Sequence, residues 1–273
     1  MNFNAYSSND LSRLLNQFDI DSDNFIIKPN FTQVCAGTTD KHSLEQLFKT
    51  LVELPIKPEI KLVEIPNVNA MPLRHVIKEL NLVETIKKYG VRVVYLDEQS
   101  LSEYGKYLYF HIPNLLLQRR EERLIVITPP KEHKFLPGGI KISQLTPHLN
   151  GYSGVMKSLA VGIVHKDDMR KTHGVSEVII EKYETENLRI LWSMMTEEEK
   201  IIVKEKHNWI INQIIEQVIK PEDIFILTNR GMLRDHINGI SVTTDCWIVG
   251  QDPKKVDELG VKLLIELKKD SNL

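Results

Sequence analysis

Five short apolar runs constrain this chain most: NFII (24–27), KLVEI (61–65), VRVVYL (91–96), RLIVIT (123–128) and DIFILT (223–228). Each reads as a strand, and helical patterns lie between them. Asp10 caps a first helix that places Leu11, Leu14, Leu15 and Phe18 on one face. Ser43 starts a second, with Leu44, Leu47, Phe48 and Leu51 at helical spacing. Pro72 to Tyr89 reads as one helix stopped by Gly90, and Thr196 with Glu199 makes a capping box for a long helix ending near Lys220. Asp252-Pro253 opens the last helix. ISVTTDCWIVG (240–250) reads as a strand, Pro129-Pro130 ends the strand at 123–128, and 175–195 mixes both periodicities and stays unassigned. Strands alternating with helices imply an α/β fold with a largely parallel sheet flanked by helices, whose ligands gather at the carboxyl ends of the strands. Residues 1–273 are expected to form a single α/β unit; if it divides, the lobes are 1–122 and 123–273 with a cleft between them.

Charge and cysteine content exclude several classes. Thirty-five basic against 37 acidic residues leave a net charge of −2. No global field draws in nucleic acid or membrane, and no basic–aromatic stripe stands out. Cys35 and Cys246 are too few for a disulfide framework, a four-cysteine zinc site or an iron–sulfur cluster held by this chain alone. The amino terminus is polar and no run approaches the length of a membrane span. The expectation is a soluble cytoplasmic protein, with its oligomeric state open.

Chemistry concentrates in PHLNGYSGVMKSLAVGIVHKDDMRKTH, from Pro147 to His173. Gly151, Ser153 and Gly154 precede an apolar helical run, so they make a turn that bares backbone N–H groups at a helix start, a place for an anion. Lys157 lies one turn inside. His148 and His173 flank it, with His165 between, and imidazole transfers protons and ligates metals. The plainer alternative is a surface loop and a helix with scattered histidines.

Further candidates fall at strand ends. Lys28 and Asn30 follow one strand, Gly37 to Asp40 lie before the next helix, and Lys131 and His133 follow the strand at 123–128. Thr243, Thr244 and Asp245 lie late in the chain. A cation, amides and hydroxyls there suit a phosphate or carboxylate. Thr38, Thr39 and Asp40 serve equally as a polar turn capping the Ser43 helix, and Asp252 serves better as a cap than as a catalyst. Lys28, Lys131, His133, His148, Lys157 and His173 are expected to line one cleft, with Asn30, Thr39, Ser153, Gly154 and Asp245 binding the ligand.

These pieces resemble the domain-of-unknown-function 362 family. IIKPNF…GTTD, then Pro129-x-Lys131-x-His133, a Lys157-centred segment ending in Gly162, and Gly250, Asp252, Pro253, Asp257 and Gly260 follow its pattern in order. Many members carry a ferredoxin-like cysteine cluster, and this chain has none. The family implies relatives rather than a reaction.

A second, local resemblance is to the signature of the nickel-pincer lactate racemases. Pro147, His148, Gly151, Ser153, Gly154 and Lys157 fall on it, with one residue fewer between histidine and lysine, and His173 lies 16 residues beyond Lys157. The resemblance implies Lys157 as attachment point of a nickel-pincer-type nucleotide, His173 as metal ligand and His148 as proton shuttle. The racemases' early aspartate–arginine motif is missing, and so is their second histidine in a His-Asp pair: His111 is followed by Ile112, and His133 by Lys134. Racemization needs two bases on opposite faces of the stereocentre, so lactate racemization is not supported. Three readings follow. One is an enzyme acting on a small anionic or cofactor-bearing metabolite, with isomerase or oxidoreductase chemistry, centred on Lys157, His148 and His173, with His133 as a further catalytic candidate. Another is a non-catalytic accessory or assembly protein binding a cofactor or divalent metal with the same residues, His173 and His165 being the candidate metal ligands. The last is a nucleic-acid or partner-protein module, which the near-zero net charge disfavours.

Overall fold

The computed structural model describes residues 5–18, 20, 22–31, 35, 37–65, 72–105, 109–132, 152–165, 168–233, 239–244 and 246–270. In chain order, β1 (Ala5–Ser8), α1 (Leu11–Leu15), β2 (Asn24–Pro29), α2 (Lys41–Val52) and β3 (Glu59–Glu64) open the fold. They are followed by α3 (Leu73–Glu79), α4 (Val83–Lys88), β4 (Arg92–Tyr95), the hairpin β5 (Leu101–Tyr104) and β6 (Phe110–Pro113), and α5 (Asn114–Leu117). Then come β7 (Arg123–Thr128), β8 (Lys131–Glu132), β9 (Tyr152–Ser153), α6 (Val155–Gly162), α7 (Met169–Thr172), α8 (Glu177–Tyr183) and α9 (Leu188–Met194). The chain closes with α10 (Glu197–Val218), β10 (Ile224–Leu227), β11 (Arg230–Leu233), β12 (Ile240–Thr243), β13 (Trp247–Gly250) and α11 (Pro253–Asp270).

Seven strands form the main sheet in the order β1-β13-β10-β7-β2-β3-β4. The run from β10 through β7, β2 and β3 to β4 is parallel, while β13 pairs antiparallel with both β10 and β1. The central strands alternate between two apolar layers, as their pleat requires. Ile26, Leu124, Val126 and Phe225 face the layer built with α5, α6, α10 and α11. Phe25, Ile27, Ile125 and Ile127 face the layer built with α1, α2 and α3. The sheet is therefore covered on both sides, and it takes strands from both sides of residue 123.

Several details differ from the sequence reading. The helix expected over Pro72–Tyr89 is two helices, because Asn81 sits in the left-handed region (φ 53°), where asparagine is tolerated, and ends the first. The second helix starts at Lys41 rather than Ser43, since Asp40 accepts from both the amide and the hydroxyl of Ser43. Residues 240–250 are two strands in two sheets. Thr244 donates its hydroxyl to the Cys246 carbonyl where the chain crosses from one to the other. Segment 175–195 carries α8 and α9.

The strand at 123–128 does end at Pro129-Pro130, as expected, and the chain continues beyond it. Proline cannot donate to a sheet ladder, so β7 breaks off there, but the Pro130 carbonyl accepts the Met232 amide and the chain resumes as β8. A second sheet, β12-β11-β8-β9, thus grows from the carboxyl ends of β7 and β10. In it Lys131 lies directly opposite Ser153. Among the described residues no helix is long and apolar enough to cross a membrane.

Candidate functional site

Four ionisable side chains meet where β2, β3 and β7 end. Lys28, inside the apolar strand β2, is only 1% exposed. Its Nζ donates to Glu64 Oε2 at 3.1 Å, the Pro29 carbonyl at 2.9 Å and Ser158 Oγ at 3.4 Å. Glu64, the last residue of β3, also accepts from the backbone amides of Phe31 (3.0 Å) and Ile65 (3.2 Å). Burial drives the Lys28 ammonium below its ordinary range and the Glu64 carboxyl above its own, against their mutual attraction. Gly162 leaves room for this pair. A methyl group there would overlap Lys28 Nζ and Glu64 Oε1.

Lys131 and Lys157 lie beside the pair, 4% and 7% exposed. Burial brings Lys131 down to about 7, and the charges of Lys28 and Lys157 push the same way while those of Cys35 and Glu64 oppose it. Burial alone brings Lys157 down to about 7. The lysines are thus close enough for Lys131 to feel both others. Lys131 Nζ donates to the Gly37 carbonyl at 3.0 Å, and Asn30 Nδ2 donates to the same oxygen at 2.9 Å.

The expectation at the Gly154 helix start needs correction. An anion does sit there, but it belongs to the protein. Asp257 on α11 accepts from the amides of Val155 (2.7 Å) and Met156 (3.1 Å), the first two residues of α6, and from Tyr152 Oη (3.4 Å). Its carboxylate supplies what an outside anion was expected to supply at those two amides. Burial raises Asp257 to about 7, against its amide hydrogen bonds. Gly154 and Gly260 give this lock its space, since a Cβ on Gly154 would overlap Asp257 and one on Gly260 the Tyr152 hydroxyl.

Of the remaining candidates, Thr39 has its hydroxyl engaged between the Asn30 amide and the Ile127 carbonyl, both at 2.9 Å, and so ties the 35–40 turn to the sheet. Asp252 is a cap, accepting from the amides of Lys254 and Lys255. His173 stacks on His207 of α10 at 5.7 Å. The amide of His165 donates to the His111 carbonyl. His133, His148 and Asp245 lie outside the described residues. Among the described residues no group of three or more His, Cys, Asp or Glu side chains is placed to hold a metal ion.

The sequence reading passed over Glu64, Ser158, Tyr152 and the role of Asp257. Glu64 had a signal, an acidic residue set between the apolar Val63 and Ile65. A histidine–aspartate pair is also present, though not between chain neighbours. His111 Nδ1 lies 2.7 Å from Asp168 Oδ2, which also accepts the His111 amide, while Lys171 bonds the other oxygen.

A family model described as a domain of unknown function (DUF362) matches residues 25–262. The chain belongs to that family. No curated protein matches it. The short pieces that follow the DUF362 pattern lie far apart in sequence, yet Lys28, Asn30, Lys131, Lys157, Gly162, Asp257 and Gly260 all serve one end of the sheet, as cations, as anchors or as space for them.

Proposed function

We propose that this DUF362 protein binds a small carboxylate- or phosphate-bearing metabolite or cofactor at the lysine cluster centred on Lys157. Lys131 would supply a second charge, Asn30, Ser153 and Asp245 the surround, and His148 and His133 proton transfer. The observation that supports this reading is the gathering of Lys28, Lys131 and Lys157, all buried, at the carboxyl ends of parallel strands. A buried ammonium is unfavourable unless compensated, and like charges nearby make it worse. An anion removes both penalties.

The test is thermal unfolding of the purified protein with acetate, lactate, oxalate and inorganic phosphate. At least one should raise Tm in a saturable way, as a ligand of the native state must, and Lys157→Met should remove the effect while leaving the protein folded. No stabilisation by any of the four in the wild type would overturn the reading, as would a Lys157→Met protein that fails to fold. Intact mass and elemental analysis of the same sample test for an adduct on Lys157 and for metal. Metal present in the wild type and lost in His173→Ala would support a ligand role for His173. Turnover of the bound anion separates an enzyme from an accessory protein that only carries it.

A further inference from the structure

We propose that His111 is a general base for a small carboxylate- or phosphate-bearing acid, with Asp168 positioning its ring and Lys171 receiving the substrate's charge. This goes beyond the lysine cluster. It is a second centre, on β6 and the start of α7, and it needs neither His148 nor His133.

Asp168 organises it. Its side chain is 4% exposed, and Oδ2 accepts both the His111 amide and the ring Nδ1, each at 2.7 Å. Oδ1 accepts from Lys171 Nζ. Burial works against the charged carboxyl, but the bonds from Lys171 and His111 outweigh it and hold Asp168 below its ordinary range. A carboxylate can only accept, so Nδ1 of His111 is the donor and Nε2 carries the lone pair. Phe110 and Ile112 on either side are buried, so the alternation of β6 turns the imidazole outwards, 47% exposed. The backbone is fixed as well. The His111 carbonyl accepts the His165 amide, and the His165 carbonyl accepts the Asp168 amide, both at 2.9 Å.

His42, His75 and His111 are the exposed histidines among the described residues, and the first two are held the opposite way. His42 meets Gln46 through Nε2 at 2.8 Å, and His75 Nε2 lies 3.5 Å from Glu79, each within one helix. Of these three, His111 alone has Nδ1 on a buried carboxylate and turns Nε2 to solvent. An imidazole held like this takes a proton at Nε2 while the substrate keeps the electron pair, and Asp168 offsets the imidazolium that forms. The proton then returns to the product or to solvent. Lys171 gives one N–H to Asp168 and one to the Tyr109 carbonyl, and an ammonium has a third. Asp168 bridges ammonium and imidazole, so the two stand one carboxylate apart. An anionic group on Lys171 brings the rest of a small acid to the imidazole.

Diethyl pyrocarbonate, at about pH 8 where an ordinary imidazole is neutral, reads this lone pair. Nε2 attacks a carbonyl carbon, ethyl carbonate leaves, and the Nδ1 proton is lost to solvent. Mapped by mass spectrometry on the full-length protein, His111 should react faster than His42 and His75. Asp168→Asn keeps the size and removes the charge, so it should slow His111 by about tenfold and leave the other two unchanged. Loss of a merely structural tie would free the ring and speed its reaction instead. Inorganic phosphate should protect His111 saturably, without protecting His42 or His75, and Lys171→Met should abolish the protection. A His111 that reacts no faster than the other two, or a rate unchanged or raised in Asp168→Asn, would overturn the general base. The comparison within the wild type decides even if Asp168→Asn does not fold. No protection by phosphate would overturn the anionic substrate. The lysine-cluster reading stands or falls separately, on Lys157→Met.

Discussion

The sheet holds a buried ion pair at each end of its strands, and the two are built to different specifications. At the amino edge Arg119 grips Asp223 through both terminal guanidinium nitrogens, at 2.6 and 2.7 Å, with neither side chain exposed. Asp223 also accepts the amides of Leu124 and Lys220, and Arg119 donates to the carbonyls of Leu116, Glu122 and Val218. At the carboxyl edge Lys28 holds Glu64 by one bond, with Lys131 and Lys157 nearby. Arginine keeps its charge at any pH a protein meets, whereas a buried lysine can surrender its proton. The first site is suited to permanence. The second can change its charge, a freedom that the proposed ligand site would use.

Removing one partner from each pair should break the symmetry most visibly. Asp223→Ala leaves a guanidinium stranded and two amides without their acceptor. It should destabilise the fold by about 3–5 kcal/mol, the usual range for a broken buried pair, with little change from pH 6 to 9 in urea titrations. Glu64→Ala should cost about 3 kcal/mol near pH 6 and clearly less near pH 9, because Lys28 can shed its charge as pH rises. Equal pH profiles for the two variants would erase the distinction.

Space around the carboxyl-edge pair is the next constraint. Gly162→Ala gains helix propensity but drives a methyl group into Lys28 and Glu64. Because Lys28 is pinned by three acceptors, overlap should win and stability should fall by about 1–3 kcal/mol, as read from the denaturation midpoint. An unchanged or raised midpoint would show that the pair yields easily.

The anion-free protein should also have an unusual pH profile. Asp257 titrates at about 7 here against 3.8 when exposed, so between those values the folded state holds more protons and stability falls as pH rises. Lys131 and Lys157 titrate at about 7 against 10.5, so above 7 the unfolded chain holds more protons and stability rises again. These three groups place a minimum near neutrality, which urea midpoints from pH 6 to 9 would reveal. Lys131→Met should flatten the upper limb. The smallest stability effect belongs to Lys157→Met, below about 1.5 kcal/mol, since it keeps most of the stem and discards a buried charge. A larger loss would mark Lys157 as a structural residue.

Much of the frame was legible from local patterns. RLIVIT is β7 residue for residue, Thr196 and Glu199 form both bonds of their capping box, and Asp252 caps the last helix. Those features depend on neighbours within a few positions. Lys28, Lys131 and Lys157 were legible as candidates because charged residues beside apolar strands and a glycine-marked helix start are conspicuous. Their setting was not. Nothing within Ser153-Gly154-Val155 says that the helix start is already answered, because the answering carboxylate is about a hundred residues away on α11. Nothing local announces the His111–Asp168 pair either, because its two members stand 57 positions apart.

Period-two strands, 3.6-period helices and their caps follow from backbone geometry and short-range hydrogen bonding, so the chain's alternation by itself determined an α/β fold with a buried sheet. Which charges cancel is a different kind of property. It depends on distances of about 3 Å between residues brought together only when the strands align and α6 and α11 pack over them. Tertiary structure alone decided that Lys28 is neutralised by Glu64, that Asp257 fills the anion place at α6, and that Lys131 and Lys157 share one buried corner. Desolvation and Coulomb energy depend on the whole surround of a group, and no local stretch of sequence contains that surround.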